Sequence, residues 1–134
     1  MIKRILLIAL VASIVEILLF VGLYDLINFF YQKVTKISFR HDLNWGISLY
    51  YTFILYSIIT VIINIIIAIT KVQTWSIITC LLLIGIFDLH LVSTIEIRPH
   101  KTLLLLALSN GLLLLSFLAF KTNSSRKQNR LLRP

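Results

Sequence analysis

Acidic residues are scarce in this chain, five Asp and Glu against thirteen Lys and Arg, for a net charge of +8. A single cysteine excludes a disulfide framework and a cysteine-based zinc site. Four glycines and two prolines in 134 residues exclude collagen-like repeats and the Gly/Pro-rich low-complexity classes. Charged residues make up 13% of the chain, about half the share in a water-soluble domain, which argues against a soluble globule. Leucine and isoleucine fill the chain instead, with 27 and 23 residues. A domain this small has too little interior to hide so many of them from water. The composition is that of a small polytopic membrane protein.

A transmembrane helix needs ~20 mostly apolar residues to cross ~30 Å of hydrocarbon. Four stretches qualify, at about 5–28, 47–70, 76–95 and 102–120. None alternates apolar and polar residues with period two, as a barrel strand does. The expected fold is all-α, with four transmembrane helices in an antiparallel bundle. Residues 1–120 form one membrane domain and 121–134 a basic cytoplasmic tail without a fold of its own. The first stretch opens on Lys3 and Arg4 like a signal peptide, but its apolar run outlasts a ~7–15 residue h-region and no A-x-A site follows. It therefore reads as a retained helix. The links at 71–75 and 96–101 are tight, and Pro99 suits the second because proline does not continue a helix. Segment 31–44 reads as the one sizeable extramembrane loop.

With four spans, both termini share a side with Lys71. That side carries Lys3, Arg4, Lys71, Lys121, Arg126, Lys127, Arg130 and Arg133, against Lys33, Lys36, Arg40, Arg98 and Lys101 opposite. The positive-inside rule places both termini in the cytoplasm. Trp45, Tyr50, Tyr51 and Trp75 stand at span starts, where aromatic belts form. The tail residues Lys121, Arg126, Lys127, Arg130 and Arg133 have no acidic neighbour and are expected to lie along anionic lipid headgroups. The Ile- and Leu-rich, Gly-poor composition points to an AT-rich genome, bacterial or organellar, and the expected location is a bacterial cytoplasmic membrane, with an organellar inner membrane as the alternative.

Polar groups inside the spans are the strongest functional pointers, because a charge at the bilayer centre costs ~2.5–3.5 kcal/mol on insertion scales. At 1.5 Å per residue, Glu16 lies ~16 Å, Asp88 ~18 Å, Asn110 ~15 Å and His90 ~21 Å from the inner ends of their spans. These four form one intramembrane polar layer near the midplane. A carboxyl at that depth needs a proton or a partner, and Asn110, a backbone carbonyl or Glu16 of a second copy are the candidates for Glu16. Ala9, Ala12 and Ser13 share the Glu16 face, and Gly85 lies ~60° from Asp88, whereas His90 points ~160° away from it. A second set, Ser57, Thr60 and Asn64 on helix two with Ala107 and Gly111 on helix four, reads as a helix-packing seam. Asn64 itself lies only ~9 Å from the inner end. Asp25 and Glu96 fall near the outer interface and read as solvated.

No catalytic pattern is present: no H-E-x-x-H, no phosphate-binding glycine loop, no G-x-S-x-G. His41, His90 and His100 are too dispersed for a metal site, and no cofactor is expected. The basic residues flank apolar spans as topology signals do, so nucleic acid is not an expected partner. The stretch Ala12-Ser13-Ile14-Val15-Glu16 resembles the first-helix carboxylate segment of small multidrug-resistance transporters. That family's aromatic and Gly-rich third helix is missing here, and Asp88 departs from it. The resemblance covers one short segment and assigns no family. The expected function is a non-enzymatic accessory or structural membrane subunit, of assembly-factor or immunity-protein type, that packs with other membrane proteins or with itself. The alternative is a proton- or cation-coupled small transporter working as a homo-oligomer through Glu16 and Asp88.

Overall fold

The computed structural model describes residues 2–35, 43–70, 73–96 and 98–131, with side chains described throughout except at 35, 43–45 and 122–131. It contains four helices: α1 Ile2–Thr35, α2 Leu43–Thr70, α3 Thr74–Val92 and α4 Pro99–Leu131. All four are long and apolar enough to cross a membrane, so the chain is membrane-embedded.

The helices overrun the spans that hydropathy outlines. Thirty-four residues make α1 about 51 Å long, well beyond the ~30 Å of hydrocarbon. Hydropathy marks where a helix is dry. It does not mark where the helix stops, because Gln32 and Lys33 continue one readily in water. Half of the expected 31–44 loop is thereby taken up by the ends of α1 and α2, and positions 36–42, which include His41, lie outside the described residues. The tail is likewise helical rather than foldless, since α4 continues to Leu131. The side chains of Arg126, Lys127 and Arg130 and the whole of Arg133 lie outside the described set, as does Lys71.

Both short links behave as their residues dictate. Gln73 precedes α3 in an extended conformation (φ −76°, ψ 157°), and its carbonyl accepts from the Ser76 and Ile77 amides. The Ser76 hydroxyl donates to the same carbonyl at 2.6 Å. After a turn at Ser93–Glu96, Pro99 opens α4 at its first position, where its missing N–H breaks no helical bond. The Arg98 carbonyl accepts the Thr102 amide and starts the ladder.

α1 packs most extensively on α2; α2 also meets α3 and α4, and α4 meets α1 and α3, while among the described residues the backbones of α1 and α3 do not approach each other. The inward faces follow a spacing of three and four. On α1 they are Ala9, Ser13, Glu16, Phe20 and Tyr24; on α2, Tyr56, Ile59, Thr60, Ile63, Asn64 and Ile67. α4 contributes Thr102, Leu105, Ser109 and Leu112, and α3 contributes Ser76, Cys80, Phe87 and Leu91. Ser13, Thr52, Thr60, Asn64, Ser76, Thr102 and Ser109 are buried, while many Leu and Ile on every helix point out. Lipid tails are as apolar as leucine, so burial of leucine gives no drive to helix association in a membrane. Small residues that let backbones approach, and hydrogen bonds across the seam, take that part.

Candidate functional site

Glu16 sits in the bundle core, 4% exposed, halfway along α1. Its carboxyl accepts three hydrogen bonds, all from other helices. Tyr56 Oη of α2 donates to Oε1 at 3.2 Å. Asn64 Nδ2, also of α2, donates to Oε2 at 3.0 Å, and Ser116 Oγ of α4 donates to Oε2 at 2.8 Å. Asn64 Nδ2 also donates to Ser13 Oγ at 3.1 Å, and the Ser13 hydroxyl donates in turn to the Ala9 carbonyl at 2.8 Å. One carboxyl thus ties α1, α2 and α4 together.

The geometry follows from helical spacing. Tyr56 and Asn64 are two turns apart on α2, and Thr60, fully buried, lies between them. Tyr56 reaches the carboxyl from one side of that level and Asn64 from the other. On the Tyr56 side the site is closed by aromatic rings. Phe20, one turn from Glu16, stacks on Tyr56 with ring centroids 3.8 Å apart, and Phe87 of α3 packs against Tyr56 at 5.6 Å. Phe53 meets Phe20 edge-on at 5.7 Å. On the other side Ala9, Ser13, Ile63 and Ile67 pack without exposure to the outside. No Lys, Arg or His bonds to the carboxyl among the described residues.

The expected single polar layer is therefore two separate groups. Asp88 and Asn110 form the second: Asn110 Nδ2 donates to Asp88 Oδ1 at 3.1 Å and Oδ2 at 3.2 Å, and to the Leu106 carbonyl at 2.9 Å. Asp88 is half-buried and Asn110 exposed, so this pair faces out of the bundle. Asn110 is consequently a partner of Asp88 and not of Glu16. On α4, Asn110 and Ser116 lie about 9 Å apart along the axis and about 120° apart around it, which separates the two groups. His90 joins neither; its Nε2 is enclosed without a hydrogen-bond partner among the described residues.

The seam residues also divide. Thr60 and Asn64 are fully buried, while Ser57 is half-buried and donates to the Phe53 carbonyl one turn back. Ala107 and Gly111 are exposed on the outer face of α4, near Asn110. A Cβ on Gly111, or on Gly85 of α3, would meet nothing within 4 Å, so neither glycine is required by contacts within this chain.

Depth arithmetic separated Asn64 from Glu16 because each helix was measured from its own hydropathy edge. The helices are longer and their ends do not align. Tyr56 and Ser116 went unnoticed as partners of Glu16. Spacing carried a signal for Ser116, which stands seven residues after the buried Ser109 and fourteen after the buried Thr102 on one face of α4. Tyr56 stands four before Thr60 and eight before Asn64. Compared with known protein families, characterised proteins and solved structures, the chain matches none.

Proposed function

We infer that this is a non-enzymatic accessory membrane protein, an antiparallel four-helix bundle with both termini in the cytoplasm, which packs against other membrane proteins through α3 and α4. We place it in a bacterial cytoplasmic membrane, with the basic residues after Phe120 along anionic headgroups. The observation that supports the docking reading is the Asp88–Asn110 pair. It is polar, lies within the apolar stretches of its helices and faces outward. Lipid tails offer such a pair no hydrogen bond, whereas a partner helix with a polar residue at that depth does. Gly85, Ala107 and Gly111 beside it leave room for a close backbone approach.

Purification at native expression in a mild detergent tests this. A transmembrane partner that co-purifies with the wild type, and is lost from an Asp88→Leu/Asn110→Leu variant that still elutes as a folded bundle, is the expected result. A homo-oligomer lost in the same variant assigns the face to a second copy. A wild type that runs alone as a monomer sinks the docking reading.

A second reading, the coupled homo-oligomeric transporter, draws its support from Glu16 alone, because Asp88 shares no hydrogen bond with it. In liposomes, proton or cation flux that Glu16→Gln abolishes would favour that reading. Equal background flux in both proteins removes it.

A further inference from the structure

Three features of the core are left unexplained by docking on the outer face. The Glu16 carboxyl is enclosed with neutral donors, and no basic side chain among the described residues bonds to it. Asn64 is 0% exposed, and its Oδ1 has no hydrogen-bond partner among the described residues, so the carboxamide is held by its nitrogen end alone. Around the same point stand two further hydroxyl oxygens, Ser13 Oγ and Ser116 Oγ, each about 3 Å from a carboxyl or carboxamide atom.

We propose that the Glu16 centre is a binding site for one sodium ion, held by Glu16 Oε2, the Asn64 carboxamide oxygen, Ser13 Oγ and Ser116 Oγ, with Tyr56 fixing the far carboxyl oxygen. The chemistry of the donors selects the class of ion. All are hard oxygens, which suit s-block cations and not the softer transition metals. One carboxylate balances one positive charge; a divalent ion would leave a net charge stranded in the core, at a cost of several kcal/mol. The two ends of a carboxamide exchange places by a half-turn about its last bond. That half-turn brings Oδ1 to the position now held by Nδ2, 3.0 Å from Oε2 and 3.1 Å from Ser13 Oγ. Hydroxyls need only rotate their hydrogens outward to offer a lone pair. The groups stand 2.8–3.1 Å apart in their hydrogen bonds, a spacing that suits Na⁺ better than the larger K⁺, and the Phe20–Tyr56 stack closes the site on one side. Binding is all that this assigns. It stands whether or not the chain moves an ion across the membrane, and it is independent of what docks on α3 and α4.

The full-length protein in detergent is melted in NaCl, KCl and choline chloride at equal ionic strength. A ligand at a hundred times its Kd raises Tm by on the order of 5–10 °C in a chain of this size. The expected result is a rise of that order in Na⁺ over choline for the wild type, smaller in K⁺, and absent in Glu16→Gln, which keeps the side-chain shape. Ser13→Ala removes one ligand together with the acceptor of an Asn64 bond, so its Tm is compared with its own value in choline; the apparent Na⁺ affinity should still weaken about tenfold or more. In parallel, Na⁺ should slow the labelling of Glu16 by an apolar carbodiimide, and choline should not. A wild-type Tm identical in all three salts overturns the proposal. So does a Na⁺ shift that survives in Glu16→Gln, since the ion then binds elsewhere, or a K⁺ shift equal to that in Na⁺.

Discussion

Two carboxyls, Glu16 and Asp88, lie deep in the apolar spans of this chain, and the bundle treats them in opposite ways. Glu16 is enclosed by three helices and receives donors from Tyr56, Asn64 and Ser116. Asp88 is met by a single carboxamide, Asn110, on the outer face of α3 and α4. The first carboxyl is therefore part of what holds the fold, because its donors come from the two helices that α1 packs on. The second joins one helix pair and leaves a polar patch on the outside. Position within the bundle, more than residue type, separates an internal centre from a surface feature. Substitutions at the two sites should differ in kind as well as in size.

The largest contrast comes from a fixed positive charge. Glu16→Lys puts an ammonium among hydroxyl and amide donors, where nothing can match it, and breaking such a buried arrangement costs about 3–5 kcal/mol beyond the insertion cost. The expected outcome is loss of the monodisperse peak in size-exclusion chromatography. Asp88→Lys, on the outer face, should still yield a folded bundle, because lysine can snorkel toward an interface. If both variants fold equally well, Glu16 does not sit in a closed core.

A smaller effect is expected from Asn64. Asn64→Leu removes two hydrogen bonds at once and leaves Ser13 Oγ and one Glu16 oxygen short of a donor, at about 1–3 kcal/mol for each buried group so left. Asp88→Leu removes a polar group from an apolar environment together with its only bonded partner's acceptor, and should leave the Tm of the isolated bundle unchanged or raised. Thermal melts of the two variants side by side test the contrast. A Tm fall for Asp88→Leu as large as that for Asn64→Leu would place both groups in the core.

The asymmetry between the two carboxyls could be read only in part from sequence. Four apolar runs fix four helices, because nothing else buries so much Leu and Ile in a chain with so few charges. The inward face of α1 was readable as well, since Ala9, Ser13 and Glu16 recur at helical spacing. Which residues of different helices meet was not. That depends on relative register and rotation, and a membrane span has no hydrophobic pattern to set them: its lipid face and its packed face are both apolar. The polar residues carry the information instead, and pairing them requires knowing where each helix starts. Hydropathy edges misplace the starts by several residues, which sets Asn64 apart from Glu16 and draws Asn110 toward it. Ala107 and Gly111 show the same gap. Small residues mark a close approach but do not say whether the approaching helix belongs to this chain.

Single-donor deletions at the Glu16 centre come next in size. Tyr56→Phe keeps the stack on Phe20 and removes only the hydroxyl; Ser116→Ala removes the shortest of the three bonds, at 2.8 Å. Each should lower stability by about 0.5–1.5 kcal/mol, or by up to ~3 kcal/mol where the carboxyl is ionised. Because both donors serve the same group, the double variant should fall by more than the sum of the two. Strict additivity in a double-mutant melt would mean that the two hydroxyls act independently and share no carboxyl.

The smallest effect on the fold, and the sharpest test of the outer face, belongs to Gly111. A Cβ there meets nothing within 4 Å, and leucine is the better helix former, glycine costing about 0.8–1 kcal/mol relative to alanine. Gly111→Leu should therefore leave the isolated bundle as stable as before, or slightly more so. Its cost should appear only when a partner is present, because a branched side chain beside Asn110 holds an incoming backbone away. The measurement is a pair of numbers from one variant: Tm of the purified bundle, and the fraction of partner retained on co-purification. An unchanged Tm with retention lost identifies α4 as a docking helix. An unchanged Tm with retention intact moves the partner off this face, and leaves the Asp88–Asn110 pair turned to lipid.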